Sequence, residues 1–269
     1  MSNFLDVACE VAKSTGNLIM RNRDNIKDIS FKSEINLGTD VDKKAEEHIM
    51  SILYKRFPKH SFLAEERGGV MNGSPYRWII DPIDGTTNFA HGFPFYSVSI
   101  ALEYNSEIIL GVVYDPVRRE IFTAEKGRGS FLNNKSISVS DTASLKESMV
   151  ATGFSYDFKR ARDSNLTADR QVLTAGKAGI ENFVKFLMNS QAVRRAGSAA
   201  IDLCYVACGR FDGFWECDLH PWDTAAGWLI VKEAKGRVTK FNGDKYSCFD
   251  KEILASNGKI HNEMMELLA

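Results

Sequence analysis

Much that would place a chain in a well-marked class is missing here. No apolar run approaches the ~20 residues that a helix needs to span a bilayer. The opening stretch, MSNFLDVACEVAKSTG, has no basic region followed by an apolar core, so it does not read as a secretory leader. Lys and Arg number 34 against 35 Asp and Glu. The net charge of −1 therefore gives no attraction to a nucleic-acid backbone or an anionic membrane, and no Lys/Arg stripe is clustered enough to supply one locally. The five cysteines are odd in number and scattered, at 9, 204, 208, 217 and 248. They read as reduced thiols of a cytoplasmic protein, not as a disulfide framework. Cys204 and Cys208 share a helix face, but no second pair completes a zinc site. A Gly-x-Ser-x-Gly elbow, a Walker A loop and a His-Glu-x-x-His motif are all absent. So are internal repeats, low-complexity tracts and Pro- or Ser-rich linkers.

What is present is an ordinary globular composition, 44% hydrophobic and 26% charged over 269 residues. That length suits one large domain or two intimately packed halves. A shift to more polar residues around SDTASLKESMV sets an approximate division near 145–150. Phe4, Ala8, Val11, Ala12, Leu18 and Ile19 keep helical spacing, which predicts a helix over 3–22. A second helix starts in GTDVDKKAEEHIMSILYKRFP. Thr39 or Asp40 caps it, Ile49, Ile52 and Leu53 form its apolar side, and Pro58 follows its end. Residues 97–102 and 108–114 read as neighbouring strands. Residues 199–209 and 223–236 read as helices that stop at glycines.

The most informative stretch is WIIDPIDGTTNFAHGFPF, residues 78–95. An apolar strand ends at Asp81-Pro82, and a second carboxylate, Asp84, follows three residues on. Each carboxylate loses hydration on leaving water, and like charges repel. Two readings fit the spacing: a capped turn, or two acids holding a cation. The chain carries its own comparison in VVYDPVRREIF, where Asp115-Pro116 has no second acid and reads as a plain turn. The Asp81 segment adds Gly85, which permits close backbone approach, and Thr86-Thr87, which opens a helix. Carboxylates bind hard cations such as Mg²⁺, and a helix start binds phosphate. Side by side they point to metal-assisted phosphoryl chemistry. Glu65 and Glu66 in LAEERGG, and Asp223 in ECDLHPWDTAAGW, are further acids that read alone as solvated surface or a helix cap.

Together these segments resemble the inositol monophosphatase family. DPIDGTTNFAHGFPF is similar to its first signature and WDTAAGWLIVKEAKG to its second, with LAEER and LGTDVD in the expected order. The resemblance spans essentially the whole chain. It implies an α+β fold, the layered αβαβα sandwich shared with fructose-1,6-bisphosphatase, a homodimer, and a Mg²⁺-dependent, lithium-sensitive phosphatase. It also implies residue roles. Glu65, Asp81 and the Ile83 carbonyl would hold a first Mg²⁺. Asp81, Asp84 and Asp223 would hold a second, and Glu65 would hold a third largely through water. An attacking water would lie near Glu65 and Thr86, with Asp40 orienting Thr86. Phosphate would rest on the amides of Gly85 and Thr86, with Lys32 nearby. Gly197, Ser198, Ala199, Glu216 and Asp223 would face the polyol, while His91 and His220 would be structural or line the pocket. Inositol 1-phosphate is the expected substrate. Fructose 1,6-bisphosphate, histidinol phosphate, NADP and 3′-phosphoadenosine nucleotides are the competitors, and a binding role with the transcription machinery is the reading from another class.

Overall fold

A computed structural model describes residues 4–23, 29–31, 37–154 and 170–269. Its first part runs α1 (Phe4–Asn22), β1 (Ile29–Phe31), β2 (Leu37–Thr39), α2 (Asp40–Arg56), β3 (Ser61–Ala64), β4 (Gly68–Val70), β5 (Tyr76–Asp84) and α3 (Thr86–Ala90). The chain then meanders through β6 (Ser97–Tyr104), β7 (Glu107–Asp115), β8 (Glu120–Glu125), β9 (Ser130–Leu132) and β10 (Lys135–Ile137). The second part holds β11 (Met149–Thr152), α4 (Arg170–Asn189), β12 (Ala192–Arg194), α5 (Ala199–Ala207), β13 (Gly213–Cys217), α6 (Pro221–Glu233), β14 (Arg237–Thr239), β15 (Glu252–Ser256) and α7 (His261–Leu268).

Strands β3 to β10 form an eight-stranded sheet in the order β10-β9-β8-β7-β6-β5-β3-β4. Strands β11 to β15 form a five-stranded sheet in the order β12-β11-β13-β15-β14, and β1 pairs with β2. Alternation along the strands sorts side chains into layers. Trp78, Ile80, Val98, Ile100 and Val112 pack with Val7, Val11, Ile49 and Leu53 of α1 and α2. Their neighbours Ile79, Ala101 and Val113 face the other way, onto Leu203 of α5 and Ala226 and Ile230 of α6. Phe214 and Ala255 of the small sheet close that middle layer from its far side. Trp215 and Leu254 point outward onto Phe186 of α4 and Met264 of α7. The result is the layered αβαβα arrangement.

Glycine sets one of the closest approaches between layers. A Cβ on Gly111 of β7 would lie 2.7 Å from the Ala226 carbonyl of α6, so only a bare backbone permits that packing. Most sequence expectations hold to within a residue or two. Asp115 also does what a turn acid does, accepting from the Val117 and Arg118 amides at 2.9 and 3.0 Å. The helix expected from Asp223 instead begins at Pro221, whose fixed φ and missing N–H suit a first helical position.

Candidate active site

In a regular strand, Asp81 and Asp84 would point to opposite faces, because they are an odd number of residues apart. Here they do not. Asp81 pairs with Ser99 but Asp84 pairs with Ser97, so β5 carries an irregularity of the bulge type at Pro82-Ile83. The extra residue re-aims the strand end, and both carboxylates turn toward one cavity. Asp223, from the first turn of α6, joins them. Oxygens of Asp81, Asp84 and Asp223 all lie within 4.8 Å of one another. Glu65 follows β3 and hydrogen-bonds the Asp81 side chain.

Each acid is held by its own backbone surroundings. Asp81 Oδ1 accepts from the Ile83 amide at 2.9 Å. Asp84 Oδ2 accepts from the Ala200 amide at 2.8 Å and from the Ser198 hydroxyl, both at the N-terminus of α5. Asp223 Oδ2 accepts from the His220 amide at 2.6 Å and closes a capping box. Burial and the neighbouring carboxylates Glu65, Asp84 and Asp223 push Asp81 well above the usual carboxylate range. Burial, with Asp223 beside it, raises Asp84 to about 7 against the pull of the Ser198 and Ala200 hydrogen bonds.

The cavity, about 400 Å³, lies where the two parts of the chain meet. Glu65, Asp81, Ile83, Asp84, Gly85 and Thr86 line it from the first part, and Gly197, Ser198, Ala199, Glu216 and Asp223 from the second. Asn88 ties the two walls, its Nδ2 donating to the Phe95 carbonyl at 2.7 Å and the Ala196 carbonyl at 2.8 Å. Gly85 adopts φ +101, and a Cβ there would meet the Phe95 and Gly197 carbonyls at 3.0 and 3.2 Å. No side chain fits that turn.

The structure corrects the assignment of Asp40. Thr86 Oγ1 donates to Asp42 Oδ1 at 2.8 Å, not to Asp40, and also lies 3.1 Å from the Ile83 carbonyl. Helix phase is the reason. Asp42 is fully buried on the face of α2 that carries Ala45, Glu46 and Ile49, whereas Asp40 turns outward to Lys44 Nζ at 2.5 Å. The signal was available: Asp42 and Glu46 sit one helical turn apart, within the apolar stripe. His220 lines the cavity with its ring stacked on Trp222, while His91 is exposed at the end of α3. Lys32 lies outside the described residues. Among the cavity residues that the sequence did not single out are Gly153, Phe154, Arg195 and Asp218.

The donor set fits hard divalent cations. Glu65, Asp81, Asp84, Glu216, Asp218 and Asp223 all line the cavity, and the basic lining residues are Arg195 and His220. Gathering that many carboxylates costs free energy unless protons or cations offset the charge. All-oxygen ligands favour Mg²⁺ over softer metals.

Comparison with known proteins points one way. The model of the inositol monophosphatase family matches residues 1–269. An inositol-1-monophosphatase of Synechocystis is 41% identical, covering 100% of this chain and 90% of that protein. A Pseudomonas aeruginosa protein named Nus factor SuhB is 40% identical over 98% of this chain and 95% of its own length. The crystal structure of the extragenic suppressor protein suhB from Bartonella henselae superposes with a TM-score of 0.90 at 36% identity, covering 99% of this chain and 98% of that one.

Proposed function

Since the chain belongs to the inositol monophosphatase family, we propose that this phosphatase hydrolyses inositol 1-phosphate, or a closely related polyol phosphate, with Mg²⁺. The observation that carries the reading is the convergence of Asp81, Asp84 and Asp223 within 4.8 Å beside Glu65. Glu65, Asp81, the Ile83 carbonyl, Asp84 and Asp223 would hold two or three cations. When bound, Mg²⁺ supplies neutralisation of the phosphate dianion, activation of water and stabilisation of the leaving oxygen.

The chain's own groups do the positioning. Thr86 has one hydroxyl proton and donates it in a hydrogen bond to the Asp42 carboxylate at 2.8 Å. Its oxygen lone pairs are then left to accept a hydrogen bond from a water in the cavity, with the Glu65 carboxylate as the second acceptor. Gly85 and Thr86 cradle the phosphate at the start of α3. Glu216, Ser198 and Ala199 form the wall that meets the leaving group. Burial raises Glu216 to about 8, with Arg195 pulling it down and Asp223 and Asp84 pushing it up. A carboxyl group in that balance both donates to and accepts from neutral hydroxyls. A turnover screen over the candidate esters with Mg²⁺ tests the reading. Full hydrolysis in excess EDTA by demetallated protein, or no turnover of inositol 1-phosphate, sinks it.

A homodimer is the assembly the surface supports. Ile180, Val184, Leu187 and Met188 form one face of α4 and are 45 to 78% exposed. Leu187→Asp should shift the protein to monomer in light scattering, and an unchanged mass removes that face from the interface. The name of the Pseudomonas relative favours a second reading, a role with the transcription machinery. Capture of transcription proteins by wild type and by Asp223→Asn alike would support it, and capture of none would remove it.

A further inference from the structure

Glu216 sits in space that only a glycine at position 153 leaves open. Strands β11 and β13 run parallel, with Val150, Ala151 and Thr152 opposite Gly213, Phe214 and Trp215. Continuing that register sets Gly153 opposite Glu216. Thr152 Oγ1 donates to the Trp215 carbonyl at 2.7 Å and locks the register one step before. Trp215 turns outward and stacks on Phe186, so Glu216 turns inward, to the cavity. Its carboxylate lies directly over Gly153. A Cβ on that glycine would stand 2.0 Å from Oε1, 2.2 Å from Cδ and 2.3 Å from Oε2. Ordinary contacts between non-bonded heavy atoms are about 3.5–4.0 Å. The carboxylate would have to move by more than about 1 Å, which the far end of a flexible side chain can do without the backbone giving way.

Phe154 anchors the same corner. Its ring packs on Phe183 of α4 at 5.7 Å and approaches Gly179, which favours movement of the Glu216 carboxylate over movement of the backbone at 153. Arg195 crosses above Gly197 on the same wall of the cavity, its Nη1 3.1 Å from where a Gly197 Cβ would be. The Glu216 side chain thus has a bare backbone beneath it, and the Arg195 guanidinium is near enough to act on its charge.

We infer that Gly153 is a positioning residue for substrate selection: by lacking a side chain it seats the Glu216 carboxylate where it meets the leaving-group hydroxyls. The inference rests on the polyol phosphatase reading of this site. It adds a residue that touches neither metal nor phosphate and acts only through Glu216.

The test is a cycle of Gly153→Ala, Glu216→Ala and the double variant. The readout is the ratio of kcat/KM for inositol 1-phosphate to that for p-nitrophenyl phosphate, with crystal structures of wild type and Gly153→Ala. The ratio should fall by about 10- to 100-fold in Gly153→Ala, the scale of an ångström-level misplacement. The double variant should then show the ratio of Glu216→Ala alone, because the group that alanine displaces is gone. An unchanged ratio in Gly153→Ala, or losses that multiply in the double variant, overturn the inference. Should Gly153→Ala fail to fold, Glu216→Ala in the same chain should restore folding; if it does not, the collision is not the reason for the glycine. Absence of wild-type turnover on inositol 1-phosphate would instead defeat the substrate reading. In that event the Gly153→Ala crystal structure still decides the seat: a displaced Glu216 upholds it and an unmoved one refutes it.

Discussion

Replacing Asp42 by Asn exchanges one carboxylate oxygen for an amide nitrogen on a side chain that is 0% exposed. The Thr86 hydroxyl has a single proton and two acceptors in range, Asp42 Oδ1 at 2.8 Å and the Ile83 carbonyl at 3.1 Å. The carboxylate is nearer and charged, so it holds the proton and leaves the lone pairs turned to the cavity. An amide at 42 weakens that hold and presents a competing donor. Hydrogen bonds to charged groups are worth ~1.5–3 kcal/mol, and each ~1.4 kcal/mol is tenfold in rate. Asp42→Asn should therefore lower kcat by about 10- to 100-fold and change KM by less than about threefold, the pattern of a lost transition-state interaction. Asp40→Asn is the control. It loses an exposed pair with Lys44, worth ~0–1 kcal/mol of stability, and nothing at the site. Initial rates across substrate concentration at saturating Mg²⁺, with melting curves for both variants, make the comparison. Equal losses in the two variants, or a wild-type kcat in Asp42→Asn, would refute the assignment of Thr86 to Asp42.

Asp223→Asn should keep the helix cap, since the side-chain oxygen that accepts from His220 survives, while Mg²⁺ affinity and turnover fall strongly. Unfolding, with full activity in the folded remainder, would make Asp223 a cap only. His261 is fully buried between Thr239 Oγ1 at 2.9 Å and Ser256 Oγ at 2.7 Å, and burial lowers it to about 4. Below its ordinary value of 6.5 the unfolded chain takes up that proton and the folded one does not. The stability it protects is full above pH 6.5 and is lost toward pH 4, by about 3 kcal/mol. His261→Gln should flatten that slope in urea melts between pH 7 and 4.5, and an equal slope in both proteins would count against it. The raised acids act the other way. Asp81 and Asp84 bind protons in the folded, metal-free protein above the pH at which the unfolded chain releases them. Chelated protein should therefore lose stability as pH climbs from about 4 to about 7, and Mg²⁺ should restore it increasingly over that range; a restoration independent of pH would count against these two acids as the ligands.

Local spacing carried a large share of this protein. Helix α1 and the β6–β7 pair were legible because each depends on residues near in sequence: a 3.6 or 2.0 period, a cap, a glycine at a turn; the acids of the two signature segments took their roles from the family resemblance. The convergence of Asp81 and Asp84 was legible as a question, and the bulge at Pro82-Ile83 answers it. What the tertiary structure decided were matters of phase and register. Whether Asp40 or Asp42 meets Thr86 depends on the rotation of α2 against β5, because residues two apart on a helix differ by about 200° in direction. Gly153 meets Glu216 because β11 and β13 pair in parallel across 60 intervening residues. Asn88 reaches the Ala196 carbonyl across 108 positions. No local period encodes such distances; they follow from which sheet face buries which side chains, and that is settled only when the layers pack.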